Sequence, residues 1–316
     1  MAAPGSARNN ILVIKLGALG DVVQALGPMA AIRRDHAGDR ISVLTTAPYA
    51  ELIRAAGVAD DIIVDERPRF AEFGKWLALR KSLRNGDFAR VYDLQTSDRS
   101  SSYFRLFWPG AKPEWSGVAK GCSHPHDNPK RDFMHTIERQ AEQLAMAGIE
   151  DVPLPELSPI TSDVTHLKLP RRFCLIVPGG AEHRPAKRWP REHYYELIKK
   201  LDGTGVVPVV CGTEAERPLA AALIEGAIAA RNIAGETSLV DLVTVAKRAA
   251  FALGNDNGTM HIAAFAGIPS VVLYSDASDP ALCAQRGPDV TILRRQPLSA
   301  LSVDEVFAAL PHEAGS

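Results

Sequence analysis

Cysteine is scarce in this chain: 316 residues carry four, Cys122, Cys174, Cys211 and Cys283, and no two form a C-x-x-C pair. Neither a zinc knuckle nor a dithiol redox motif is encoded, and free structural thiols in a reducing compartment are the expectation. A charge excess is missing too. With 36 Lys and Arg against 37 Asp and Glu the formal net charge is -1, so the whole-molecule field gives no footprint of a nucleic-acid binder and any anionic ligand has to be caught locally. No stretch approaches the roughly 18 apolar residues of a membrane helix, and the first ten residues hold no apolar signal-peptide core. A cytoplasmic protein is expected. What remains is ordinary: 46% hydrophobic and 23% charged residues suit a globular protein, and the length favours two domains.

Ile11-Leu-Val-Ile14 is a short run rich in β-branched residues, followed by Lys15-Leu-Gly17-Ala-Leu-Gly20-Asp21 and a helical pattern through about Arg34. That order reads as strand, Gly-rich turn, helix. The runs at 41–45, 61–64 and 91–94 repeat the strand signal, with helix-like segments at 49–56 and 73–84 between them. Such alternation implies a parallel sheet covered by helices. The stretch from Trp108 to Asp132 lacks periodicity and is long for a loop, which suggests a binding loop. A helix over 134–147 follows, and then four prolines between Pro153 and Pro170, as a linker would have. The second half restarts the pattern with candidate strands at 173–177, 206–210, 250–253 and 270–274, each feeding a polar turn. The reading is α/β, with an N-terminal Rossmann-like domain over 1–155, a Pro-rich linker over 156–170 and a C-terminal Rossmann-like domain over 171–316. Two doubly wound domains facing each other would put their strand ends on a shared cleft.

Three turns carry candidate chemistry. In the first, Gly17 and Gly20 permit a tight turn and close ligand approach, and Asp21 stands at the helix start, where it can be a cap or a catalytic carboxylate, or both. The turn lacks the third glycine of G-x-G-x-x-G and the Lys-Ser/Thr of a phosphate loop, which argues against nicotinamide or ATP. In the second, Pro178-Gly-Gly180 leads through Lys187-Arg188 to a helix beginning near Pro190. Backbone amides and a lysine there make a diphosphate clamp; a solvated cationic loop is the alternative. The third, Gly254-Asn-Asp256-Asn257-Gly258-Thr259-Met-His261, runs into a small-residue helix whose N-terminal amides could hold phosphate oxygens, with Thr259 or His261 adding a hydrogen bond. His261 has a structural rival, a buried and satisfied imidazole. Glu214 and Glu216 follow the strand ending near Cys211, where a carboxylate could accept ribose hydroxyl protons. His124-Pro-His126-Asp127 offers potential metal ligands but no complete site, and an exposed loop is the better reading.

Taken together, Ile14-Lys-Leu-Gly-Ala-Leu-Gly-Asp21, Asp93-Leu-Gln-Thr-Ser-Asp-Arg99, Ala186-Lys-Arg-Trp-Pro-Arg-Glu-His193 and Gly254-Asn-Asp-Asn-Gly-Thr-Met-His261 resemble the heptosyltransferases of glycosyltransferase family nine, over nearly the whole chain. The resemblance implies the GT-B architecture, two Rossmann-like domains about a central cleft, with the last helix able to pack back on the first domain. It implies an inverting, metal-independent and cofactor-free transfer of heptose from a nucleotide-diphosphate sugar, typically ADP-heptose, to the sugar core of a lipid-linked acceptor, as in lipopolysaccharide biosynthesis. By the same match Asp21 is the general base, Lys187 contacts the donor phosphates and Glu216 approaches the ribose. Asp256, Asn257, Gly258, Thr259 and His261 border donor sugar and diphosphate. Asn257 stands where these enzymes often carry threonine. A lipid-linked acceptor places the protein at the cytoplasmic face of the inner membrane, with no nucleic-acid partner. A nucleotide-sugar epimerase and a non-catalytic nucleotide-sugar-binding protein are the rival readings, because a fold alone does not fix a function.

Overall fold

The computed structural model of the chain describes residues 8–180 and 183–311. It divides into two compact units, residues 1–156 and 157–316. Ala181 and Glu182, within the expected clamp loop, lie outside the described residues.

The first unit runs β1 (Asn10–Ile14), α1 (Leu19–Asp35), β2 (Arg40–Thr45), α2 (Ala50–Ala55), β3 (Asp61–Val64), α3 (Phe73–Asn85), β4 (Phe88–Asp93), α4 (Asp98–Tyr103), β5 (Glu114–Gly117), β6 (His124–Pro125) and α5 (Thr136–Ala145). Its six strands are parallel in the order β3-β2-β1-β4-β5-β6. Leu12 and Ile14 of β1 pack with Leu79 and Leu83 of α3 and with Tyr103, Phe104, Phe107 and Trp115 in one core. Both faces of a parallel sheet are covered, which is why β1 and β2 read as near-continuous apolar runs and not as alternation.

The stretch 108–132 differs from the expected binding loop. It supplies β5 and β6, which extend the sheet, and Trp115 is fully buried with its ring 5.3 Å from Phe104 and 6.3 Å from Phe107. Strands of four and two residues leave too little alternation to be seen in a sequence. His126 is spent on structure, with Nε2 3.0 Å from Glu142 Oε2 on α5. His124 lies toward Glu114, at 3.7 Å.

The second unit repeats the plan: β7 (Phe173–Val177), α6 (Arg191–Leu201), β8 (Val207–Val210), α7 (Arg217–Leu223), β9 (Arg231–Asn232), α8 (Leu239–Arg248), β10 (Ala252–Asn255), α9 (Gly258–Phe265), β11 (Ser270–Tyr274), α10 (Pro280–Cys283), β12 (Val290–Arg294) and α11 (Val303–Ala308). The order is β12-β11-β10-β7-β8-β9, again parallel throughout. In each unit the chain winds outward one way from the first strand and the other way from the fourth, the doubly wound Rossmann-like pattern. The last helix, α11, packs on α6 of its own unit, with Val306 in that unit's core. Within the expected linker, Ser162 N–H and Oγ lie 3.0 and 3.1 Å from Thr244 Oγ1 of α8. Lys247 Nζ donates to the carbonyls of Ser158 and Ile160, both at 2.8 Å. That stretch is therefore tied down along α8.

One glycine sets the spacing beneath the second unit's central turn. Gly254 pairs with Val177 across β10 and β7, and a Cβ there would lie 2.6 Å from Val177 Cβ and 2.7 Å from its carbonyl oxygen. Gly254→Ala is expected to lower the stability of the second unit by about 1–3 kcal/mol through overpacking, read as a lower thermal midpoint. An unchanged midpoint would show that the two strands can separate at no cost.

Candidate functional site

Both units place their chemistry at the C-terminal ends of the central strands, where the winding direction reverses: after β1 and β4 in the first, after β7 and β10 in the second. Neighbouring chains leave such a point in opposite directions, so a crevice opens there in doubly wound sheets.

In the first unit, Gly17 turns the chain with φ +136°, a conformation that disfavours a side chain, and a Cβ there would sit 2.9 Å from the Tyr49 ring. Gly20 falls in the first turn of α1. Asp21 is the third residue of α1, and its Oδ2 accepts the Ala18 N–H at 3.1 Å. Among the described residues its other oxygen takes no hydrogen bond, so the cap occupies half of the carboxylate. Beneath it Lys15 is buried and donates from Nζ to the Leu94 carbonyl at 3.1 Å. Burial pulls the Lys15 ammonium below its ordinary pKa and Arg139 adds to this, while the charges of Asp21 and Asp93 oppose it. Asp93, at the end of β4, is fully buried, and burial pushes its carboxyl up to about 6. The Thr96 and Gln95 amides, which donate to Oδ1 at 3.0 and 3.1 Å, work against that rise, as do Ser100 and Lys15. Sequence reasoning gave Lys15 and Asp93 no role. The signal was there in part: both are ionisable residues at the ends of apolar strands.

In the second unit the polar turns after β7, β8, β10 and β11 converge on two carboxylates. Glu216 fills the glycine turns after β7 and β8. Its Oε1 accepts the Gly180 N–H at 3.1 Å, and its Oε2 accepts Thr213 N–H and Oγ1 at 2.8 and 3.0 Å. A Cβ on Gly179 would collide with it at 2.0 Å. Glu214 points elsewhere, paired with Arg217 at 3.1 Å. The structure thus separates two acids that have a single residue between them in sequence.

Asp256 is the second centre. Lys187 Nζ lies 2.6 Å from its Oδ2, with side-chain exposures of 13% and 7%, so this is a largely desolvated ion pair. Ser278 Oγ donates to the same oxygen at 2.7 Å, and Gln285 Nε2 to Oδ1 at 3.2 Å. The buried Tyr274 hydroxyl in turn donates to Gln285 Oε1 at 2.9 Å. Burial works against the charged carboxylate, but Lys187, Ser278 and Gln285 more than offset it and hold Asp256 below the usual range. Ser278 and Gln285 lie 22 and 29 residues beyond Asp256, and no local pattern links them to it.

Asn257 is the N-cap of α9: its Oδ1 takes the amides of Thr259 and Met260 at 3.0 and 3.2 Å, and its Nδ2 reaches the Gly179 carbonyl at 3.1 Å. Asparagine and threonine both cap helices, so asparagine here keeps that function. The Gly258 amide is the one in the first turn that Asn257 does not engage. His261 is buried within α9, and Thr259 is partly exposed. Among the described residues no cluster of three or more His, Cys, Asp or Glu side chains is placed to hold a metal ion.

Comparison with known proteins bears on this arrangement. A family model described as glycosyltransferase family 9 (heptosyltransferase) matches residues 76–302, across both units. Lipopolysaccharide heptosyltransferase 2 of Escherichia coli strain K12 is 42% identical over 292 residues, 85% of this chain and 83% of that protein. Among solved structures, E. coli ADP-heptose lps heptosyltransferase II superposes with a TM-score of 0.79 at 24% identity, covering 95% of this chain and 97% of that one. E. coli heptosyltransferase WaaC with ADP-2-deoxy-2-fluoro heptose gives 0.76 at 21% identity, covering 94% and 97%. These two structures share the fold.

The position of Asp93 generates a pH dependence. Its carboxyl titrates near 3.8 when unfolded and at about 6 in the fold, so the folded state binds the proton more tightly. Stability from this group is fully present below about pH 4 and is lost as pH rises through about 6, on the order of 3 kcal/mol. Asp93→Asn, which keeps an oxygen for the Gln95 and Thr96 amides, is expected to remove that decline and leave the first unit at least as stable at pH 7. Thermal midpoints followed from pH 4 to 7 check it, and a profile parallel to that of the parent would refute the buried titration.

Proposed function

Because the chain belongs to glycosyltransferase family 9, the heptosyltransferases, we propose that it moves a heptose from ADP-heptose to the sugar core of a lipid-linked acceptor of the lipopolysaccharide type, with inversion and without a metal ion. The family sets the class of reaction. The donor follows from the names of its relatives, one an ADP-heptose enzyme and one holding an ADP-heptose analogue. The observation that carries the reading is the Lys187–Asp256 pair at the strand ends of the second unit, beside Glu216 in its glycine turns.

In this reading the second unit binds the donor. Glu216 accepts ribose hydroxyl protons. Lys187 and the Gly258 amide face the diphosphate, whose charge grows as the bond to the sugar breaks, and preorganised donors of this kind are worth most where charge develops. Asp256 orients Lys187 and borders the donor sugar, as do Thr259 and His261. Asn257 acts through the α9 cap. Asp21 of the first unit removes the acceptor hydroxyl's proton with its uncapped oxygen during in-line attack, and its hydrogen bond to Ala18 fixes the direction of that oxygen. An epimerase would need no acceptor, and membership of the family does not favour it. Among the described residues no helix is long and apolar enough to cross a membrane. In this reading the lipid-linked acceptor is met at the membrane surface.

Two substitutions test the assignment. Asp21→Asn keeps the shape and still caps, and kcat is expected to fall at least ~100-fold with donor affinity little changed; a rate within about threefold of the parent would remove Asp21 from the mechanism. Lys187→Ala should weaken donor binding or turnover at least ~10-fold at limiting donor, and unchanged kinetics would count against the clamp. Transfer should also survive EDTA. Activity abolished by the chelator and restored by Mg²⁺ or Mn²⁺ would reject the metal-free mechanism.

A further inference from the structure

Helix α3 carries two stripes, and the fold uses one. Leu79 and Leu83 are buried in the core of the first unit, and Trp76 packs against that core with its ring 6.0 Å from Tyr103. On the opposite side Phe73 and Leu77, one turn apart, are 67% and 65% exposed. Phe70 just before the helix is 91% exposed, with its ring 6.5 Å from that of Phe73. Arg80 of α3 donates to the Trp108 carbonyl at 2.8 Å and so holds a third exposed ring, 69% accessible, beside the helix.

Charge is concentrated in the same place. Residues 66–84 contain six Lys and Arg and two carboxylates, Glu66 and Glu72, both paired with Lys75, in a chain whose overall charge is -1. Lys81 and Arg84 continue the line of Phe73 and Leu77 along the helix and are exposed. Large apolar side chains within a cationic rim match the chemistry of an anionic lipid surface: the rings and Leu77 enter the headgroup boundary while the cations meet lipid phosphates. A second copy of the chain is a poor occupant, since a two-fold contact through this face would set like charges against each other.

We propose that the α3 face, through Phe70, Phe73, Leu77 and Trp108 with Lys81 and Arg84, docks the protein onto an anionic membrane surface. This deepens the proposed function by naming the surface that brings the enzyme to a lipid-linked acceptor. It rests on that reading for its purpose and not for its physics.

The test is co-sedimentation of the full chain, without donor, with vesicles of phosphatidylcholine alone and with about 30% phosphatidylglycerol added. Binding is expected only to the anionic vesicles and should weaken as salt rises from about 0.1 to about 1 M. Phe73→Ser/Leu77→Ser and Lys81→Glu/Arg84→Glu should each cut partitioning at least ~10-fold, with thermal midpoint and transfer to a lipid-free acceptor sugar unchanged. Absence of parent binding to anionic vesicles overturns the proposal. So does undiminished binding by both variants, a parent dimer that Phe73→Ser/Leu77→Ser dissociates, or retention by nucleic acid in place of lipid. Because vesicle binding is scored without turnover, a chain that binds but transfers no heptose would sink the proposed function and leave the docking surface standing.

Discussion

Two parallel strands that lie side by side, yet send their chains to opposite edges of the sheet, leave their carboxyl ends uncovered. That topological constraint governs everything of chemical interest in this protein. It acts between β1 and β4 and again between β7 and β10, and in each case ionisable side chains collect where the backbone has withdrawn. Away from those ends the central strands are mostly apolar and covered. Gly17 and Gly254 mark where backbone or ring comes too close for a side chain, so the shape of each turn is set by what is missing from it.

The two reversal points are electrostatically unlike. In the first unit, Lys15 and Asp93 are buried without contacting each other through a hydrogen bond, and burial moves both toward neutrality. In the second, Asp256 is surrounded by donors and stays charged despite its burial. A pair as desolvated as Lys187 and Asp256 adds little net stability, but removing one member leaves an uncompensated charge. Ser278 and Gln285, the latter held by Tyr274, keep the carboxylate satisfied alongside Lys187.

Much of the architecture is legible in the residue order. The apolar β-branched runs at 11–14, 173–177 and 270–274 sit in the observed strands because long, fully buried strands leave a continuous signal. Strands of two to four residues do not, which is why β5, β6 and β9 escape notice, and the edge strand β12, with three of its five residues half-buried and two exposed, does too. The site divides along similar lines. Turns with glycine and a charged residue announce themselves locally, as at Asp21, Lys187 and Asp256. Gln285 and Ser278 meet Asp256 only through the fold, and Glu214 and Glu216 are told apart only by the direction of one helical turn.

Glu216 has one more consequence. A glycine-rich turn after a parallel strand is ordinarily an inviting seat for phosphate, because its amides converge on empty space. Here a carboxylate already fills that seat and takes the Gly180 amide. An anion is repelled from the β8 side, while hydroxyl groups are welcome there; the ammonium of Lys187 lies toward β10. For the nucleotide donor of the proposed function, the polarity that follows is sugar toward β8 and phosphates toward β10, set by one acidic side chain before any base-specific contact is made.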